Sequence, residues 1–292
     1  MREYLDGFMT EYEYPTEAKA VLLSAFDKLM GACADEMYSL LSDYERSYEI
    51  DYTEAINRIR ELCEMVGVHR YTGELLLFLC YTRALFRYYA EAGLSEEIYR
   101  NTVLDLRYKL DECKCVYGIY GSFVAYWFSG FFKLERFALG RLQFEIIPLG
   151  VDYEKDGVRF AKNSKVINVH IPRSGRRLDR ESTSLSYRLA AEFFRPSIGD
   201  NIAFVCNSWL LFSEHLKMLS EGANLRSFIK DYDLISSGEY KDYSEVWRLF
   251  DTMYDGDPER LPCDTSLRRA YVDLIRRGER TGWGRGIFVY ND

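Results

Sequence analysis

Several short stretches of this chain carry side chains that could do chemistry. The first is Val166-Ile-Asn-Val-His-Ile-Pro-Arg-Ser-Gly-Arg-Arg-Leu-Asp-Arg-Glu181, an apolar run that passes a proline and an arginine-flanked glycine before a helical pattern continuing to Phe194. A strand–turn–helix of this kind can aim backbone N–H groups and guanidinium forks at phosphate oxygens, because the first turn of a helix carries partial positive charge. Arg173, Ser174, Gly175, Arg176 and Arg177 are the residues that would do so, with Gly175 admitting a close backbone approach. Asp179, as the helix cap, and Glu181, in the first turn, compete for the same positive end. An ordinary connection with solvated arginines accounts for the same residues.

His170 stands near the end of the strand, on a face with Asn168 and Val166 and opposite Ile167, Val169 and Ile171. A histidine there can serve as a general base near neutral pH, or as a structural residue bonded to a neighbouring strand. Glu145 is a second candidate base. It shares a strand face with Gln143, a possible substrate-binding amide, and with Arg141, opposite Leu142, Phe144 and Ile146. Such a polar face either meets solvent or lines a cleft.

Cys206-Asn-Ser-Trp-Leu-Leu211 marks a strand-to-helix transition. Asn207 or Ser208 would cap that helix or contact substrate. A nucleophilic Cys206 would need His170 beside it to lower its pKa, which makes a thiol-dependent hydrolase a separate reading. Gly282-Trp-Gly-Arg-Gly286, before the last strand, reads as a flexible loop. Neither a Gly-x-Ser-x-Gly elbow nor a Gly-Lys-Ser/Thr phosphate loop occurs.

The elements that must position these residues follow from periodicity. Residues 1–120 read as helices: one from Pro15, one over 52–66, one over 72–92 ended by Gly93, and one from Ser95 to about 117. A short helix with Phe123, Trp127 and Phe131 links to a β-rich second part. There, strands are expected at 141–147, 166–171, 202–206, 226–235 and 286–290, with a turn at Asp156-Gly157 and helices near 181–194, 209–219, 242–251 and 264–277. We expect two domains, 1–120 all-helical and 121–292 a mixed sheet layered with helices, hence an α+β chain.

The net charge of −8 is unevenly placed: residues 1–120 hold 13 Lys/Arg against 22 Asp/Glu. That acidic half would repel a nucleic-acid backbone, so no nucleic-acid partner is expected. No apolar run is long enough to span a bilayer, and the residues after Met1 are too polar for a secretory leader. A cytoplasmic protein with free thiols is expected, without membrane association. The seven cysteines and three histidines show no metal-ligand spacing, so no metal site is expected.

Taken together, Gly140-Arg-Leu-Gln-Phe-Glu145, Val169-His-Ile-Pro172 with Leu178 and Ser186 to Phe194, and Cys206-Asn-Ser-Trp-Leu-Leu211 resemble a bacterial two-domain acyltransferase family. Its members pair a helical N-terminal domain with a GNAT-like C-terminal domain, and the resemblance spans essentially the whole chain. The resemblance implies transfer of an acyl group, acetyl by expectation, from acetyl-CoA or another acyl-CoA to a small-molecule or peptide amine. It implies Glu145 or His170 as base, a tyrosine as acid, and the 173–177 turn on the donor phosphates. One motif departs from the family. The GNAT signature Gln/Arg-x-x-Gly-x-Gly/Ala is not reproduced, since Gly175 follows Arg173 by two residues and Arg177 replaces a small residue. A non-catalytic GNAT-like binding or regulatory protein is the alternative that this departure leaves open.

Overall fold

The computed structural model describes residues 1–155 and 157–291. They form two compact units, Met1–Phe137 and Ala138–Asp292.

The first unit contains α1 (Arg2–Glu11), α2 (Thr16–Ala32), α3 (Ala34–Arg46), α4 (Tyr52–Val66), α5 (Arg70–Glu91) and α6 (Glu96–Tyr117). A 3-10 turn at Ala125–Phe128 and the single-turn helix α7 (Ser129–Phe132) follow. Local chemistry sets the helix ends. The Asp51 carboxylate accepts the Glu54 N–H at 3.0 Å to start α4, and Ser95 does the same for Ile98 at the start of α6. Every residue from Leu75 to Tyr81 in α5 is buried. A helix that is apolar on all sides must lie inside its layer, and α2, α3, α4 and α6 surround it.

Residues 121–137, which the sequence assigned to the second domain, fall within the helical unit. Phe128 and Phe132 meet the Phe78 ring at 5.1 and 5.0 Å, and the Tyr44 hydroxyl donates to the Phe132 carbonyl at 3.0 Å. α5 offers these rings an apolar face that a bare linker lacks. No described helix is long and apolar enough to cross a membrane.

The unit boundary falls within β1 (Arg136–Leu139), and the second unit continues with β2 (Leu142–Pro148), β3 (Tyr153–Lys155), β4 (Val158–Phe160), β5 (Lys165–His170), α8 (Arg180–Ile198) and β6 (Ile202–Ser208). After these come α9 (His215–Met218), α10 (Asn224–Lys230), β7 (Asp233–Glu239), α11 (Trp247–Phe250), α12 (Ser266–Arg276) and β8 (Gly282–Tyr290). The main sheet runs β1-β2-β5-β6-β8-β7, and β3–β4 form a separate hairpin. Asp156 of the expected turn lies outside the described residues; Gly157 beside it has φ 81°. β5 and β6 are parallel, whereas β2–β5, β6–β8 and β7–β8 are antiparallel.

One sheet face takes α8, whose buried stripe Thr183, Ser186, Tyr187, Ala190, Ala191 and Phe194 follows helical spacing. Tyr187 packs there on Phe144, Phe204 and Phe288. The opposite face holds Leu149, Phe160, Val166, Ala203, Val205 and Ile287.

Three expectations change. Residues 226–235 split into α10 and β7, because Leu225, Phe228 and Ile229 fall at helical spacing and the last two are buried. The expected helices at 209–219 and 242–251 shrink to short turns. Gly282 to Gly286 is strand and not loop: its glycines let β8 lie against neighbours, since a Cβ on Gly286 would sit 2.6 Å from the Tyr232 Cβ.

Candidate active site

Antiparallel pairing sets Gln143 opposite His170 and Glu145 opposite Asn168. All four side chains therefore share one face of the sheet. The Glu145 Oε1 lies 2.6 Å from His170 Nε2 and 3.0 Å from Asn168 Nδ2. A carboxylate only accepts, so both nitrogens donate to it, and the ring proton sits on Nε2. The 3.0 Å approach of Asn168 Nδ2 to His170 Nε2 is then a contact of two donors converging on one oxygen. Glu145 thus holds the His170 ring by its Nε2, with Asn168 on the same oxygen. Gln143 is buried beside this pair, at 1% exposure.

β5 and β6 make registered pairs only at Ile167–Phe204 and Asn168–Val205. Both strands run further, to His170 and Ser208, without pairing. The registered ladder stops there, and Asn207 continues β6 on the same face as His170. Cys206 points to the other face, with Phe204 and Val169, and is 1% exposed. Burial pushes its thiol up to about 12. A Cys206–His170 pair is therefore excluded by strand parity, and with it the thiol-hydrolase reading. The Ser208 hydroxyl accepts the Leu210 N–H at 3.2 Å, so it caps the turn that follows β6.

Beyond His170 the chain turns through Pro172–Asp179. Gly175 has φ 71°, and Arg176 and Arg177 are exposed. Arg173 pairs with Asp251 at 2.7 Å, and the same carboxylate binds Arg268 at 2.7 Å. Asp179 caps α8, accepting from the Ser182 N–H at 2.9 Å. That bond holds its carboxyl below the usual range. Ser174 Oγ accepts from the Arg176 N–H at 3.4 Å. The turn thus links β5 to α8, as its sequence suggested, but one of its arginines is already neutralised.

Sequence reasoning gave no role to Arg141, Ser186 or Asp251. Arg141 donates to the carbonyls of Pro172 and Arg176, and its backbone N–H donates to Ser186 Oγ at 2.7 Å. Ser186 and Arg141 appear in the motifs already quoted. Their partnership joins residues far apart in the chain and leaves no periodic signal.

A mixed sheet with a central parallel pair in short register beside polar side chains, and a strand–turn–helix leading out of it, has the GNAT-like arrangement of acyltransferase folds. Residues 137–288 match the GNAT-like C-terminal domain, and residues 3–134 match the N-acyltransferase N-terminal domain. The chain belongs to this family of two-domain acyltransferases. Solved structures share the fold. One is an acyltransferase in complex with decanoyl-CoA and teicoplanin, at 21% identity over 98% of this chain and 87% of that one, TM-score 0.76. Another is an acyltransferase mutant in complex with octanoyl-CoA, at 20% identity over 99% and 88%, TM-score 0.77. Among curated proteins, none matches this chain.

Proposed function

We propose that this chain transfers an acyl group from an acyl-CoA thioester directly to an amine. The observation that carries this is the end of the registered β5–β6 pairing at Asn168 and Val205, next to Glu145–His170 and just before the 173–177 turn. Strands that run past the end of their ladder leave N–H and C=O groups without ladder partners. An extended thioester arm can take their place, and an N–H aimed at its carbonyl oxygen would stabilise the oxyanion by a few kcal/mol, about the worth of one such donor elsewhere. That solved relatives hold octanoyl-CoA or decanoyl-CoA supports a CoA thioester as donor. One holds an acyl-CoA together with teicoplanin, which supports direct transfer between two bound molecules.

In this reading His170, its Nε2–H held by Glu145, takes a proton from the acceptor ammonium directly or through water. The amine nitrogen bonds to the thioester carbon, the C–S bond breaks, and the thiolate leaves with a proton. Gln143 and Asn207 orient the acceptor, and Arg173 to Arg177 receive the donor phosphates.

Release of free thiol tests the proposal, measured with acetyl-, octanoyl- and decanoyl-CoA against a panel of amines. Amine-dependent release supports it, and the donor series sets the acyl length. Binding without release for any amine would favour the non-catalytic reading. No binding of any donor at millimolar concentration would remove the proposal.

A further inference from the structure

The departure of the 173–177 turn from the GNAT signature raises a question of how its backbone could be aimed at an anion. We infer that Arg141 is the positioning residue: from the turn between β1 and β2 it turns the amides of this loop outward as a cradle for the donor's diphosphate. The inference rests on the acyl-CoA reading above and adds a residue that reading does not use.

Arg141 is 8% exposed. Its Nη1 donates to the Pro172 carbonyl at 2.9 Å, and its Nε donates to the Arg176 carbonyl at 3.1 Å. Both peptides are trans. In a planar trans peptide the C=O of one residue and the N–H of the next point in opposite directions. Drawing the carbonyls of 172 and 176 toward Arg141 therefore turns the N–H groups of Arg173 and Arg177 away from it. Those two amides and that of Gly175 donate to no protein group among the described residues. The other loop amides are used internally: Ser174 N–H bonds to the Pro172 carbonyl at 2.9 Å, and Arg176 N–H to Ser174 Oγ.

The rest of the surroundings agree. The helix end behind the loop is taken by Asp179, and the Arg173 guanidinium by Asp251. Outward amides and the exposed Arg176 and Arg177 are what remain for an anion, an arrangement that suits closely spaced phosphate oxygens. The guanidinium behind the two carbonyls also polarises their peptides and strengthens the N–H groups on the far side. The brace itself is fixed. Ser186 Oγ accepts the Arg141 N–H and donates to the Ser182 carbonyl at 2.7 Å, so the β1–β2 turn, the loop and α8 are tied through Arg141. The signature's small residues let a loop wrap a diphosphate unaided; here an arginine holds the loop open from behind.

The test is calorimetric titration of wild type, Arg141→Lys and Arg141→Met with coenzyme A and with pantetheine, which lacks the diphosphate. Thermal melts identify any variant that fails to fold. The inference expects Arg141→Met to weaken coenzyme A binding about tenfold or more, the scale of bonds to a charged group, and to leave pantetheine binding within twofold. Arg141→Lys, which keeps the charge but one prong, falls between. Inorganic pyrophosphate should displace coenzyme A from wild type and not from Arg141→Met. Equal losses for both ligands in a folded variant, or no loss for coenzyme A, would overturn the role of Arg141. Wild type that binds neither ligand would instead remove the acyl-CoA reading itself.

Discussion

Glu145 Oε1 and His170 Nε2 lie 2.6 Å apart on adjacent antiparallel strands, with side chains only 16% and 18% exposed. Neither residue reaches the other along the chain; the β2–β5 register brings them together. In the proposed reaction the carboxylate holds the imidazole for proton transfer, and the two act as a unit.

Replacing either member should therefore lower turnover and spare donor binding. Glu145→Gln and His170→Gln are each expected to reduce kcat by about 10² to 10⁴ in thiol release. The double variant should lose little more than the worse single one. Coenzyme A affinity should stay within a few-fold of wild type by titration. Independent, multiplicative losses would show that the pair does not work as one.

Gly140 is under two constraints. It sits at φ 72°, and a Cβ there would lie 2.6 Å from Ser186 Oγ. Gly140→Ala should cost about 1–3 kcal/mol of folding stability. It should also push Ser186 away from the Arg141 N–H. Urea unfolding measures the first effect. Ser186→Ala, which removes the bonds from the Arg141 N–H and to the Ser182 carbonyl, should cost about 1–3 kcal/mol.

Thiol chemistry separates the cysteines. Cys115 and Cys263 are exposed and the remaining cysteines are buried. With Cys206 pushed up to about 12 by desolvation, its thiolate is scarce at neutral pH. Alkylation of the native protein near pH 7.5, followed by peptide mass mapping, should mark Cys115 and Cys263 and leave Cys206 unmodified until the chain is unfolded. Cys206→Ala should keep full activity. Rapid labelling of native Cys206 would contradict its placement in the core.

His215 gives stability a pH dependence. It is fully buried, its Nδ1 meets the Leu210 carbonyl at 3.0 Å, and its Nε2 meets the Tyr271 hydroxyl at 2.5 Å. The carbonyl can only accept, so Nδ1 carries the proton and Nε2 accepts from Tyr271. Desolvation lowers the pKa below the ordinary 6.5. Above the ordinary value neither folded nor unfolded chain is protonated there, and the full contribution is present. As pH falls below it, the unfolded chain takes up a proton first, so stability drops until the folded pKa is passed, by at most about 1.4 kcal/mol per pH unit. Urea unfolding between pH 7.5 and 5 should show this slope, and His215→Asn should remove its share. A variant with the same slope as wild type would assign the effect elsewhere.

Much of the architecture was legible because it is written locally. Ser95 and Asp179 cap the helices their positions suggested. Alternation placed Gln143 and Glu145 on one face, and Asn168 and His170 on another that turned out to be the same. Residues 226–235 were misread because Val-, Ile- and Phe-like side chains in a short run serve a buried helix as well as a strand. The glycines of 282–286 looked like a loop for want of any sign that Leu211, Phe212 and Tyr232 press against them.

By itself, then, the sequence determined a helical unit followed by a mixed sheet, the caps and turns between their elements, and the short list of polar residues able to do chemistry. Tertiary structure alone decided which of them meet. Strand register joined Glu145 to His170 and sent Cys206 to the opposite face. The β5–β6 register stopped at Asn168 and Val205, Asp251 claimed Arg173, and Arg141 took hold of the turn. Each of these depends on contacts between segments far apart in the chain. Periodicity records which side of its own element a residue faces, and carries no record of what lies across from it.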